Sequence, residues 1–376
     1  MPLMSTLLDL FVRLVRIDGV SLAERRVADE VTALLSGRGV RVVEDDSAAL
    51  LGGNTGNLLC FPPSYRPESP AIMLTAHLDT VESTALLRPV IDSTSIRSDG
   101  STILGGDNRL GLAVLTQMLS NVVTGHLPHR NFFVVFTVGE ETGLYGAGTV
   151  KVSHMSPTGA YVFDCSKRPG VYIRESVGLH TFKAQFIGKA AHAGVAPEEG
   201  VSAIQLACTG VTRLHLGRID DGTTANVGRI RGGEALNAIP ENATIEGEVR
   251  SFTGKRIAEE LEKIEHTLRA AVNATGKLVF SHEPDFEPYV LAADSALIQD
   301  LERAMRDVGL TPRPIRYTGG SDANKYNAKG FPAVNIGIGA QKPHSHEEFV
   351  LIEDLLKTYE LAMALVKDPG EQRTCR

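Results

Sequence analysis

AIMLTAHLDT, residues 71–80, is a short apolar run that ends on a histidine and an aspartate with one residue between them. Its leading AIMLTA is of the kind buried on both faces of a mainly parallel sheet. Side chains two apart on a strand point the same way, so His77 and Asp79 are expected on one face at the strand's end. That placement suits a metal ligand and a carboxylate that orients it.

Working outward, NFFVVFTV (131–138) and AYVFD (160–164) are two further runs of the same kind, and a helical segment near 108–124 precedes the first of them. Strands that alternate with helices predict an α/β domain, in which ligands gather at the carboxyl ends of the strands. His77, Glu140 and Asp164 all fall there. Upstream, the pattern predicts a helix over 4–17 and a second beginning at Ser21, where Ser21 and Glu24 are spaced as a capping box.

Near residue 176 the texture changes. LHTFKAQFIG (179–188) alternates polar and apolar, a long helix is expected over 197–216, TTANVGRI (223–230) and ATIEGEVRS (243–251) read as strands, and a charged helix is expected at 254–274. This is an antiparallel α+β unit. After about 285 the first texture returns, with a helix at 294–308, a strand at 333–338 and a helix near 350–367. The expected organisation is a catalytic domain in two parts, 1–176 and 285–376, with a lid-like domain, 177–284, inserted between them. The expected fold class is α/β, with a mixed, mainly parallel sheet flanked by helices and an inserted α+β domain.

Composition narrows the function classes. With 376 residues, 43% hydrophobic and 22% charged, and a net charge of −7, the chain has no basic footprint for a nucleic acid or an anionic membrane. A small-molecule or peptide partner is expected instead. The N-terminal MPLMSTLLDLFVRLVRI is interrupted by Asp9 and Arg13 and is followed by no small-residue cleavage site, and no run of 18 apolar residues occurs. Four cysteines (Cys60, Cys165, Cys208, Cys375) are scattered without CxxC pairing, which indicates neither a disulfide framework nor a cysteine zinc site. The expected location is the cytoplasm.

HLD (77–79), GGDNRLG (105–111), VGEETG (138–143) and VFDC (162–165) carry acids or a histidine, and KPHSHEEF (342–349) adds two late histidines. Singly, each is ordinary: HxD as a polar loop, EE as a solvated face, DNRLG as a helix cap. Jointly they put several charges at buried strand ends, where carboxylates would repel one another unless divalent cations intervened. Carboxylate oxygens with imidazole suit Zn²⁺, or less selectively Mn²⁺ or Co²⁺, and the absence of clustered thiolates argues against a closed structural site.

HLDT, GGDNRLG, FTVGEETGLYGA, VFD, GKAAHAG, EALNAIP, GEVRS, GGSDAN and HSHEEF, in this order, resemble the di-zinc peptidases and amidohydrolases that include peptidase T, aminoacylase, carboxypeptidase G and succinyl-diaminopimelate desuccinylase. The resemblance covers nearly the whole chain, and FTVGEETGLYGA and GGSDAN look like the peptidase T branch. It implies a zinc-exopeptidase-like fold, an inserted domain that also dimerises, and two divalent metal ions per chain.

The resemblance also implies roles. His77 would bind one metal, with Asp79 behind it. Asp107 would bridge the two, Asp164 would complete the His77 metal, and Glu141 with His344 would hold the other, His346 being the fallback. Glu140 would be the general base. His192 in GKAAHAG would stabilise the oxyanion, often in the partner subunit's site. Asn237 and Arg250 would grip the substrate, an arginine being suited to a carboxylate, and Gly320 and Ser321 would bring backbone close to it. The bland readings stay beside these: a turn histidine at His192, a turn cap at Asn237, a surface ion pair at Arg250, an ordinary turn at 319–322. The departure from pattern is GGDNRLG, where relatives commonly read GADDKAG, so Asn108 and Arg109 replace Asp and Lys.

The expected function is a metal-dependent exopeptidase of the aminotripeptidase type, acting through water activated by two metals and Glu140. The alternative is an amidohydrolase of N-acyl or N-carbamoyl amino acids. A non-catalytic binding protein of the same fold would be expected to lack Glu140 or a ligand, and every aligned position is filled. A two-metal phosphoesterase does not fit the inserted GKAAHAG and GEVRS segments.

Overall fold

The structure is a computed structural model that describes residues 2–152, 155, 157–272 and 276–368. Its contacts divide into two compact units, one of residues 1–174, 290–316 and 321–376, the other of 175–289 and 317–320. Positions 273–274 of the expected charged helix, and 1 and 369–376 at the ends of the expected catalytic segments, lie outside the described residues.

The first unit is built on a mixed sheet whose spatial order begins Arg41–Glu44, Leu58–Phe61, Phe132–Thr137, Ala71–His77, Pro157–Cys165, Ala333–Gly337, Val171–Ser176. The four strands from Phe132–Thr137 to Ala333–Gly337 are mutually parallel, and Leu58–Phe61 and Val171–Ser176 flank them antiparallel. Every residue of Ala71–His77 and Phe132–Thr137 is buried. Such two-sided burial selects continuous Val, Phe, Ile and Leu runs over alternation. The mainly parallel α/β architecture expected from the sequence is therefore present.

The helix Gly106–Thr124 is buried almost all round. It packs on Ala71–His77 and on the helices Pro2–Val15 and Ile352–Val366. Its first turn is broken at Asp107 and Asn108, whose backbone angles are not helical. Thus the aspartate sits at a bend rather than inside regular helix.

The second unit is a five-stranded antiparallel sheet in the order Gly217–Asp220, Thr223–Gly232, Asn242–Ser251, Gly178–Ile187, Lys277–Phe286. Helices Ala203–Val211 and Gly254–Ala270 pack on one face, where Phe182, Phe186, Ile245, Val249, Ile257, Leu261, Ile264 and Leu268 form a core of their own. Ser202 and Thr253 cap the two helices by accepting the amides of Gln205 and Arg256.

Two local expectations are corrected. No single helix spans 197–216: a short 3₁₀ turn at Pro197–Glu199 is followed by extended backbone, and the α-helix begins only at Ala203. The cause is non-local, since Val201 exchanges both backbone hydrogen bonds with Lys189, which holds it extended. Nor do Ser21 and Glu24 form a capping box. The helix starts at Arg25, Glu24 makes no side-chain cap, and both side chains are engaged elsewhere.

Among the described residues no helix is long and apolar enough to cross a membrane. Cys60, Cys165 and Cys208 are unpaired; Cys375 lies outside the described residues.

Candidate metal centre

At the carboxyl end of Ala71–His77 the buried His77 imidazole is gripped on both sides. Its Nδ1 lies 3.2 Å from Asp79 Oδ1, and its Nε2 lies 3.2 Å from Asp107 Oδ1 and 3.3 Å from Asp164 Oδ1. Asp164 reaches this point from the adjacent parallel strand, Pro157–Cys165. Its carboxylate is steadied by two amides, Asn108 Nδ2 at 3.3 Å and Asn335 Nδ2 at 3.5 Å. Asn108, the departure from the expected GADDKAG, also donates to the Phe163 carbonyl and accepts the Gly111 amide. Arg109 is fully buried and gives its guanidinium to the carbonyls of Leu78, Ile17 and Gly19, and burial lowers its pKa to about 10.

A second cluster adjoins the first. His344 Nε2 lies 3.1 Å from Glu141 Oε1 and 3.6 Å from Asp107 Oδ2, so Asp107 faces one histidine with each oxygen. The His344 loop is turned left-handed at Lys342 and again at His344, with φ of 53° and 59°. Such conformations cost energy for non-glycine residues and gather at functional sites. His346 points elsewhere and pairs with Glu82 at 2.9 Å.

Glu348 completes this loop in a way the sequence did not signal. It is fully buried, and its carboxylate accepts the amides of Gly105 at 2.7 Å and Asp107 at 3.0 Å. The segment that carries His344 thereby also fixes the backbone bearing Asp107. In HSHEEF, Glu347 and Glu348 look alike; only burial distinguishes them, Glu347 being an exposed partner of Lys342.

After Phe132–Thr137, Gly139 adopts φ 59° and turns the chain just before Glu140 and Glu141. A glycine is favoured there because that angle lies in the left-handed region, which residues with a Cβ rarely adopt. Asp79 lies beneath the turn, accepting the Glu140 amide on Oδ1 and the Glu141 amide on Oδ2, each at 3.1 Å.

The electrostatics follow from crowding acids in a dry place. Burial, and then the charge of Asp164, push the Glu140 carboxyl well above the usual carboxylate range. Burial also raises Glu141 and Asp164. For Asp107 burial acts the same way, but hydrogen bonds from His344 and His77 outweigh it and hold the carboxyl low. Burial opposes a charge on His77, yet its bonds to Asp107, Asp164 and Asp79 raise it well above the ordinary histidine value. His344 is raised to about 10 by Asp107 and then Glu141. Each imidazole thus sits where positive charge is wanted.

The donor set fits divalent cations. His77, Asp107 and Asp164 each offer a ligand atom within 4.8 Å of the others, as do Asp107, Glu141 and His344, and the two sets share Asp107. A third combination, His77, Glu140 and Glu141, meets the same limit. One imidazole and two carboxylates per set suits zinc and related ions.

Nearby, Asp322 is buried and its Oδ2 accepts the Thr137 hydroxyl at 2.6 Å, while burial raises its pKa to about 7. Ser321 is buried too and caps the helix Asp322–Ala328, exchanging bonds with Asn324. Gly320 belongs to the second unit, where a Cβ would meet the Phe286 ring at 2.3 Å.

The remaining expected residues are also in the second unit. His192 and Asn237 are brought together by a two-stranded ribbon, Ala191–His192 with Ala238–Ile239, and the Ala193 amide donates to the Asn237 carbonyl. Both residues are exposed. Arg250 forms an ion pair with Glu248 at 2.9 Å and reaches the Thr318 carbonyl at 3.3 Å.

Comparison with known proteins matches residues 174–277 to the peptidase dimerisation domain and residues 90–172 to the M42 glutamyl aminopeptidase model. The chain is 31% identical over 366 residues to the uncharacterized protein YqjE of Bacillus subtilis, covering 97% of this chain and 98% of that one. The structure of the aminopeptidase PepT from Bacillus cereus superimposes with a TM-score of 0.86 at 32% identity, covering 96% and 98% of the two chains. A tripeptidase from Staphylococcus aureus gives a TM-score of 0.88 at 30% identity, covering 97% and 98%.

Proposed function

The chain belongs to the peptidase T-like family of peptidases and is a metal-dependent exopeptidase of the aminotripeptidase type, and on that premise we propose how its residues divide the work. His77, Asp107 and Asp164 hold one divalent cation, and Asp107, Glu141 and His344 hold the other. The observation that carries this reading is that Asp107 lies between the two histidines, one oxygen toward each. The metal is zinc, which imidazole and carboxylate donors suit; manganese and cobalt are the alternatives. When bound, such a pair supplies Lewis acidity and lowers the pKa of water.

Glu140 is the general base. Its carboxyl is buried and its pKa is raised, which suits a group that takes a proton from the attacking water and later gives it to the leaving amine. Asp79 holds the His77 ring by Nδ1 and leaves Nε2 for the cation. His192 donates to the oxyanion, and Asn237 and Arg250 hold the substrate's backbone or carboxylate. Gly320 lets the backbone approach, and Ser321 fixes that turn as a helix cap. The matched dimerisation domain supports a homodimer formed through the second unit. The proposed domain division is 1–176 and 285–376 around 177–284, and the proposed location is the cytoplasm.

A panel of tripeptides with free or acetylated amino termini, together with N-acyl amino acids, tests the substrate class. Release of the first residue from free tripeptides is expected; turnover of the acylated compounds alone would move the chain to the amidohydrolases. Mixing His192→Ala with Glu140→Gln protein tests the shared site. Recovered activity is expected if His192 serves the partner's centre, and no recovery despite subunit exchange would contradict it.

A further inference from the structure

The turn that failed to cap its helix has another use. Ser21 Oγ donates to Asp79 Oδ2 at 2.6 Å, and Glu24 Oε1 accepts the amides of Leu22 and Gly139, both at 2.8 Å. Three consecutive amides at the end of Phe132–Thr137 are therefore each held by a buried carboxylate: Gly139 by Glu24, Glu140 and Glu141 by Asp79. Asp79 is completely filled, with His77 Nδ1 and the Glu140 amide on one oxygen, and the Ser21 hydroxyl and the Glu141 amide on the other. An ionised carboxylate has about four acceptor positions.

The turn itself is anchored to the same place. Thr80 donates its amide to the Gly19 carbonyl, Arg109 bridges Leu78 to Ile17 and Gly19, and Leu22 is left-handed at φ 65°. Glu24 is fully buried although it stands one residue before an amphipathic surface helix. A helix cap explains neither its burial nor its reach to Gly139. Both partners, the Asp79 carboxylate that accepts from Ser21 and the Gly139 amide that donates to Glu24, are remote in sequence and lie at the two strand ends that carry the candidate chemistry.

We propose that Ser21 and Glu24 are positioning residues for the reaction, fixing the backbone of Gly139–Glu141 and, through Asp79, the orientation of His77. Ser21 locks the Asp79 carboxylate in the rotation that serves His77 and both glutamate amides at once. Glu24 sets the Gly139 turn from which Glu140 departs. The inference rests on the roles of Glu140 and His77 given under the proposed function.

Ser21→Ala and Ser21→Thr are compared with wild type for kcat and KM on a tripeptide, for Zn²⁺ affinity by chelator competition, and for melting temperature. Ser21→Ala is expected to lose about tenfold to a hundredfold in kcat and about tenfold in metal affinity, the range typical of outer partners of a metal ligand. KM should stay within about threefold, and Ser21→Thr, which keeps the hydroxyl, should recover most of both losses. Glu24→Ala, which removes the acceptor of the Leu22 and Gly139 amides, should lose about tenfold or more in kcat, and Glu24→Gln, which keeps an acceptor oxygen, should recover most of that loss; wild-type kcat in Glu24→Ala would remove Glu24 from the brace. Wild-type kcat and affinity in Ser21→Ala would overturn the inference. So would losses that follow the melting temperature and are as large in Ser21→Thr. The competition assay needs no turnover, so the two failures separate. A wild type that cleaves no tripeptide while Ser21→Ala still loses affinity defeats the function and keeps the brace, whereas an active wild type with a silent Ser21→Ala does the reverse.

Discussion

The two units use polar side chains in opposite ways. In the first, His77, Asp79, Asp164 and Glu348 are buried at strand ends and loops, and Asp79 and Glu348 each hold two backbone amides. In the second, the polar residues singled out by sequence sit on an exposed ribbon and a strand end, and the large apolar side chains beside them, Val195 and Leu236, are exposed as well. A buried acid must be paired or neutralised, and each pairing also fixes its position. Exposed groups carry no such constraint and are free to meet a substrate or a second chain. The difference is one of placement: His77, Asp79, Asp164 and Glu348 are fixed by burial and pairing, whereas His192 and Asn237 are carried on an exposed ribbon.

The largest effect should come from the first unit. Glu140→Gln is expected to lower kcat by about 10²–10⁴ while bound metal, measured by elemental analysis, stays at the wild-type level. Retained turnover would remove Glu140 from the role of base. His192→Ala should lower kcat by about 10²–10³, also without loss of metal. A fall in metal content there would break the contrast, because a residue of the second unit would then be supporting the ions.

Glu348→Ala should cost about tenfold to a hundredfold in metal affinity, as the Asp107 backbone loses its acceptor. Competition with a coloured chelator reads this directly. Ile264→Ala, in the core of the second unit, should destabilise by about 2–5 kcal/mol by thermal or urea unfolding and leave metal affinity unchanged.

The smallest effect concerns pH in protein stripped of metal. His344 is raised from 6.5 to about 10 by Asp107 and Glu141. A raised histidine contributes fully below its free value and loses that contribution as pH climbs through the folded one. The melting temperature of stripped protein should therefore decline between pH 7 and pH 10, by little because the His344 side chain is 49% exposed. Metal affinity should rise over the same interval as the proton ceases to compete.

What the sequence disclosed follows the same division. AIMLTAH, FFVVFT and YVFD are legible as central strands because two-sided burial leaves an uninterrupted apolar run, and the residues that end them fall together because the three strands are parallel neighbours. The helix expected over 197–216 was not, because Val201 is held extended by Lys189 and no local preference reports a partner twelve residues away. Ser21 and Glu24 match the spacing of a local cap, but their hydrogen-bond partners Asp79 and Gly139 lie 58 and 115 residues on. Asn108 and Arg109 stood out as a departure, yet only the fold reveals that one steadies Asp164 and the other lies behind the strand end at Leu78.

Metal dependence is the most direct test of the proposed centre. Protein freed of metal would be titrated with Zn²⁺, Mn²⁺ or Co²⁺, and tripeptide hydrolysis measured against metal bound per chain. The predicted result is no hydrolysis in the stripped protein and full recovery as two ions bind. Undiminished hydrolysis without metal, or two ions bound with no hydrolysis of any tripeptide, would contradict it.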